Sequence, residues 1–98
     1  MAETENKIIR TIIVEDQRDL REGLQMLINF TPGFKCLGAF RTMEEALARI
    51  KYDLPDVVLS DIGLPGMSGI EGIRILKEKY PELVVLGGNN LALLIIKI

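Results

Sequence analysis

Four short apolar runs, separated by stretches of helical spacing, constrain this chain more than any other feature. Residues 8–14 are mostly β-branched and are interrupted only by Arg10 and Thr11, the pattern of a strand buried on both faces in a parallel sheet. From Asp19 onward, Leu20, Leu24, Leu27 and Ile28 recur at helical spacing until Thr31-Pro32-Gly33 stops the helix. A second strand is expected over 34–40. Thr42 and Glu45 then read as a capping box opening a second helix, with Ala46, Leu47 and Ile50 as its apolar stripe. Residues 56–60 form a third run. Ile70, Ile73 and Leu76 mark a third helix ending near Tyr80-Pro81, and 83–86 supply a fourth strand. The order βαβαβαβ implies right-handed crossovers and a mostly parallel sheet with helices on both faces.

In such a sheet the strands share one carboxyl edge, and ligands bind in the crevice beyond it. Glu15 and Asp16 end the first strand there and Asp61 ends the third. In the flavodoxin-like order 2-1-3-4-5 these two strands are neighbours, so the three carboxylates are expected to converge. Crowded acids repel and raise one another's pKa values, and a hard divalent cation with oxygen ligands relieves both problems. The expected ion is Mg²⁺. The stretch LSDIGLPGMSG, residues 59–69, supports this, since Gly63, Gly66 and Gly69 let backbone approach a ligand while Pro65 stiffens the loop. Taken singly, Asp16 or Asp19 reads better as a helix cap than as a ligand, and Asp61 can be read as a turn residue. The coincidence of acids at the carboxyl ends of two strands favours one shared site.

Composition narrows the functional classes. Ninety-eight residues at 48% hydrophobic content suffice for one small domain. Twelve basic against fourteen acidic residues leave a net charge of −2, with no broad positive field for nucleic acid and no polybasic patch for anionic lipid. The lone Cys36 has no partner for an internal disulfide and, without histidine, no zinc site around it. Cys36, the methionines, Phe30, Phe34 and Phe40 are therefore read as packing residues, and Lys77-Glu78-Lys79 as a solvated helix face. The polar start MAETENKIIR lacks a signal-peptide core and no run is long enough to span a bilayer, so a cytoplasmic location without membrane contact is expected.

IIVEDQ at 12–17 and VVLSDIGLPGMSG at 57–69 resemble the receiver domain of two-component response regulators, and the texture of IKYDLPDVVLSD and LKEKYPELVVL resembles members that carry a LuxR-type output. The resemblance covers residues 8–86. It implies a non-enzymatic switch in which Asp61 accepts a phosphoryl group from the phosphohistidine of a histidine kinase. It further implies that Mg²⁺ is held by Asp16, by Asp61, by the Gly63 carbonyl and, directly or through water, by Glu15.

After Leu86 the family pattern breaks. Receivers carry a Thr or Ser near the end of the fourth strand, where Asn89 falls here, then a helix, a fifth strand ending in Lys, and a last helix. GGNNLALLIIKI replaces them. Residues 1–86 are thus expected to form the core and 87–98 an atypical end. Four residues cannot make a parallel crossover, so Leu91–Ile98 is expected to run antiparallel to the fourth strand, leaving Lys97 roughly 20 Å from Asp61. A tail swapped into another subunit is the alternative. Bare apolar surface on the sheet and the tail suggests a homo-oligomer. Two functional accounts follow: a receiver whose output is impaired by its altered end, and a truncated, frame-shifted or engineered receiver that acts as an oligomerising scaffold. An aspartyl-nucleophile phosphatase is a weaker third, because Ile62-Gly63-Leu64 offers no second acid after Asp61.

Overall fold

A computed structural model describes residues 7–61 and 63–88. The elements follow in the order β1 (Ile9–Val14), α1 (Arg18–Phe30), β2 (Phe34–Phe40), α2 (Met43–Ile50), β3 (Val57–Asp61), α3 (Gly69–Lys79) and β4 (Val84–Gly88). Every strand pairing is parallel, in the order β2-β1-β3-β4. This is the flavodoxin-like sheet that the alternation of runs requires.

Consecutive apolar residues are needed because the sheet is covered twice. Ile12, Val14 and Val58 enter a layer with Met43, Ala46, Ile50 and Leu76 from α2 and α3. Their neighbours Ile13 and Leu59 enter the other layer, with Leu24 and Ile28 from α1. Period-two alternation therefore sends adjacent residues to different cores, and neither face tolerates a polar run. The α2 and α3 helices approach closely at Gly72, where a Cβ would lie 2.3 Å from Met43 Cγ.

The α1 helix packs chiefly on β2 and β1, and among the described residues no helix packs on the β4 part of that face, where Val84 is half exposed although Leu59 of β3 is buried. An apolar groove of about 140 Å³ results, lined among others by Ile9, Thr11, Val57, Val84 and Leu86. Thr11 Oγ1 is buried and has no hydrogen-bond partner among the described residues.

Several expectations need correction. Phe30 and Met26 do not pack: they are 79% and 60% exposed, because α1 presents only the Leu24–Ile28 side to the sheet. Leu27 is exposed for the same reason, and so is Ile70, since α3 buries Gly69, Gly72 and Leu76 instead. In the capping box Thr42 Oγ1 accepts from the Glu45 N–H, but the Glu45 carboxylate reaches the N–H of Arg41 rather than that of Thr42. Ser68 caps α3 by accepting from the Glu71 N–H, which the sequence reading did not identify. Strand β4 starts at Val84 and continues through Gly88, pairing Gly87 with Ser60 and Gly88 with Asp61. The two glycines thus extend the ladder where a turn was expected to begin. Asn89, Lys97 and the expected strand Leu91–Ile98 lie outside the described residues.

Candidate phosphoacceptor and metal site

Register alone brings the acids together. Val14 pairs with Ser60 across β1 and β3, so one further residue on each strand sets Glu15 level with Asp61. Adjacent strands lie about 4.8 Å apart. Glu15, Asp16 and Asp61 each offer a carboxylate oxygen, and these oxygens all lie within 4.8 Å of one another. Among the described residues no cation forms an ion pair with any of the three.

Backbone contacts hold the trio in place. The Glu15 N–H donates to the Phe40 carbonyl at 2.9 Å, carrying the β1–β2 pairing one residue past Val14. Glu15 Oε2 accepts the Gln17 N–H at 3.0 Å, and Arg21 Nη1 donates to the carbonyls of Glu15 and Asp16 at 3.0 and 3.3 Å. Arg21 therefore spends its charge on backbone oxygens instead of neutralising the carboxylates. Gln17, without a side-chain cap bond, is the N-cap of α1, so neither Asp16 nor Asp19 is consumed as a helix cap.

On the other strand, Asp61 Oδ1 accepts the Gly63 N–H at 3.2 Å, and the Ser60 hydroxyl donates to the Asp61 carbonyl at 2.9 Å. The loop beyond is anchored at two points. Leu64 is buried in the α2–α3 layer, and Glu44 Oε2 accepts the Met67 N–H at 3.1 Å. Gly66 takes φ +70°, and a Cβ there would sit 3.0 Å from that same Glu44 oxygen. The positive φ favours glycine at this point, and a side chain there would also press on the Glu44 carboxylate.

Glu15 is buried while Asp16 and Asp61 are half-buried. Burial pushes the Glu15 carboxyl above its ordinary range. The Gln17 N–H opposes that shift, and neighbouring Asp16 and Asp61 add to it. An unneutralised acid trio with one buried member is suited to a small divalent cation.

Glu15, Asp16 and Asp61 were all legible as candidates, and the structure joins them. The structure gives the fourth candidate, Gly63, an N–H contact with Asp61. Arg21, Ser60 and Glu44 were missed. Arg21 follows Asp16 by little more than a helical turn, which offers a weak signal. Glu44 offers none, because its partner Met67 is distant in sequence.

The sequence profile described as the response regulator receiver domain matches residues 11–89. The chain belongs to the receiver-domain family of two-component response regulators. Similar curated proteins include the transcriptional regulatory protein DegU of Brevibacillus brevis, 34% identical over 82 residues that cover 84% of this chain and 34% of that protein. A protein-glutamate methylesterase/protein-glutamine glutaminase of Pyrococcus abyssi is 33% identical over 78 residues, covering 80% of this chain and 21% of that one. Among solved structures, a LuxR-family two-component response regulator from Aurantimonas sp. SI85-9A1 matches with TM-score 0.76 and 30% identity, over 83% of this chain and 58% of that chain. This chain spans about a third or less of the length of these two curated relatives. Among the described residues no helix is long and apolar enough to cross a membrane.

Proposed function

We propose that the chain is the phosphoacceptor module of a response regulator, with Asp61 receiving the phosphoryl group of a kinase phosphohistidine in the cytoplasm. The observation that carries this reading is the convergence of Glu15, Asp16 and Asp61 within 4.8 Å at the carboxyl edge of the sheet. An Asp61 carboxylate oxygen attacks phosphorus as the P–N bond of the donor breaks. The histidine nitrogen leaves with the bonding pair and takes up a proton, and Asp61 becomes an acyl phosphate. Asp16, Asp61 and the Gly63 carbonyl would hold Mg²⁺, with Glu15 acting directly or through water. Three carboxylate oxygens within 4.8 Å of one another make an all-oxygen donor set of the kind that a hard divalent cation such as Mg²⁺ takes. Bound there, the ion neutralises phosphoryl oxygens and aligns donor with acceptor. The chain itself turns over no substrate, and output belongs to segments such as the longer relatives carry.

Incubation with acetyl phosphate and Mg²⁺ tests the reading. A mass gain of one phosphoryl group is expected in the parent chain and not in Asp61→Asn. A gain that persists in that variant refutes Asp61 as the acceptor. A second reading, a self-associating scaffold without signalling, draws on the apolar groove and on Val84, half exposed beside it. Light scattering that shows a stable monomer at tens of micromolar contradicts it.

A further inference from the structure

Arg21 is the residue near the acid trio whose placement the packing of the fold leaves unexplained. It stands in the opening turns of α1, where the helix dipole disfavours a cation. It is half-buried, and among the described residues it forms no ion pair with a carboxylate. Its Nη1 instead donates to two successive carbonyls, those of Glu15 and Asp16, at 3.0 and 3.3 Å.

Successive carbonyls of a strand point to opposite sides, so one nitrogen reaches both only where the strand has ended. The β1–β2 pairing extends to the Glu15 N–H, and the first bond of α1 runs from the Arg21 N–H to the Gln17 carbonyl. The two carbonyls that Arg21 takes lie between these points, in the turn that carries Glu15 and Asp16. Arg21 thus ties that turn from the helix side, while Glu15 Oε2 ties it from within by accepting the Gln17 N–H.

A cation so placed could act in two ways, and they have opposite signs. A positive charge beside the trio repels an incoming Mg²⁺, so by charge alone the loss of Arg21 would tighten binding. A clamp on the turn holds the Glu15 and Asp16 carboxylates toward Asp61 before the ion arrives, so its loss weakens binding. Contacts that run to backbone oxygens rather than to carboxylates are those of a clamp. We propose that Arg21 is a positioning residue of the cation site, fixing the turn through the carbonyls of Glu15 and Asp16. This rests on the reading of the acid trio as a Mg²⁺ site.

Mg²⁺ titration and amide exchange by NMR on the full chain, with Arg21→Met beside the parent, test the proposal. Methionine keeps an apolar stem and a high helix propensity while removing the charge and the donors. The variant is expected to bind Mg²⁺ at least about tenfold more weakly. Without metal, its Gln17 amide should exchange at least about tenfold faster than the parent's, with the β1–β3 amides unchanged. Equal or tighter Mg²⁺ binding overturns the proposal, and so does an unchanged Gln17 amide. Faster exchange throughout the sheet, with parent-like affinity in the folded molecules, assigns Arg21 to general stability and overturns it as well. A parent whose Glu15, Asp16 and Asp61 amides do not respond to Mg²⁺ removes the cation site and the clamp together, whereas a variant that matches a binding parent removes the clamp alone. Should Arg21→Met not fold, the parent decides: distinct, slowly exchanging Arg21 Nη–H signals uphold the clamp, and a single signal averaged by free rotation overturns it.

Discussion

Replacing Glu15 by Gln isolates the electrostatics of the site. The amide keeps the size of the side chain and an acceptor for the Gln17 N–H, and it removes only the charge. At an effective dielectric constant of about 20, two unit charges 4.8 Å apart repel by about 3.5 kcal/mol. Glu15 repels both Asp16 and Asp61. Solvent around those half-buried partners screens the sum to about 1–3 kcal/mol. The sign with pH follows from the raised pKa of the Glu15 carboxyl. Its protonated form favours the folded state, so this contribution is complete below the unfolded carboxylate pKa of about 4.3 and is lost as pH rises through the higher folded value. Urea unfolding without metal should therefore show Glu15→Gln more stable than the parent by about 1–3 kcal/mol at pH 8, with little difference at pH 4. Mg²⁺ should narrow that difference. A ligand at about a hundred times its Kd stabilises by about 2.7 kcal/mol, and the variant should recover only part of that gain. The reasoning fails if the variant is no more stable than the parent at pH 8 without metal, or if Mg²⁺ stabilises both equally.

Other substitutions probe the packing that supports the site. Gly72→Ala gains about 1 kcal/mol of helix propensity but forces a methyl to within 2.3 Å of Met43 Cγ. Overpacking of about 1–3 kcal/mol should win, lowering the urea midpoint, and a midpoint equal to or above the parent's would count against the close α2–α3 contact. Thr11→Val removes the unpartnered buried hydroxyl and should raise stability by about 1 kcal/mol, read as a higher Tm. A lower Tm would mean that Oγ1 has a partner in solution. Gly66→Ala, at φ +70° beside Glu44, should cost about 1–2 kcal/mol and weaken Mg²⁺ binding by loosening the loop after Asp61. Unchanged Mg²⁺ titrations would separate that loop from the site.

The acids at 15, 16 and 61 were legible because they close apolar runs, and a parallel sheet leaves no other place for strand ends than a shared edge. Phe30 and Met26 were misjudged for the opposite reason. Hydrophobicity does not say which side of α1 the sheet will cover, and only the seating of that helix on β1 and β2 leaves them in solvent. Gly87 and Gly88 read as a turn because glycine is weak in strands, yet continuous pairing with Ser60 and Asp61 outweighs that local preference.

Local chemistry in the sequence determined the succession of strands and helices, the double cover of the sheet and the identity of the clustered acids, because periodicity and caps act over a few residues. Tertiary structure alone decided that Val14 stands opposite Ser60, that Arg21 turns to backbone carbonyls, that Glu44 anchors the loop at Met67, and that β4 runs to Gly88. Each of these joins groups through space. Their energies come from register and burial, which exist only once the strands have paired.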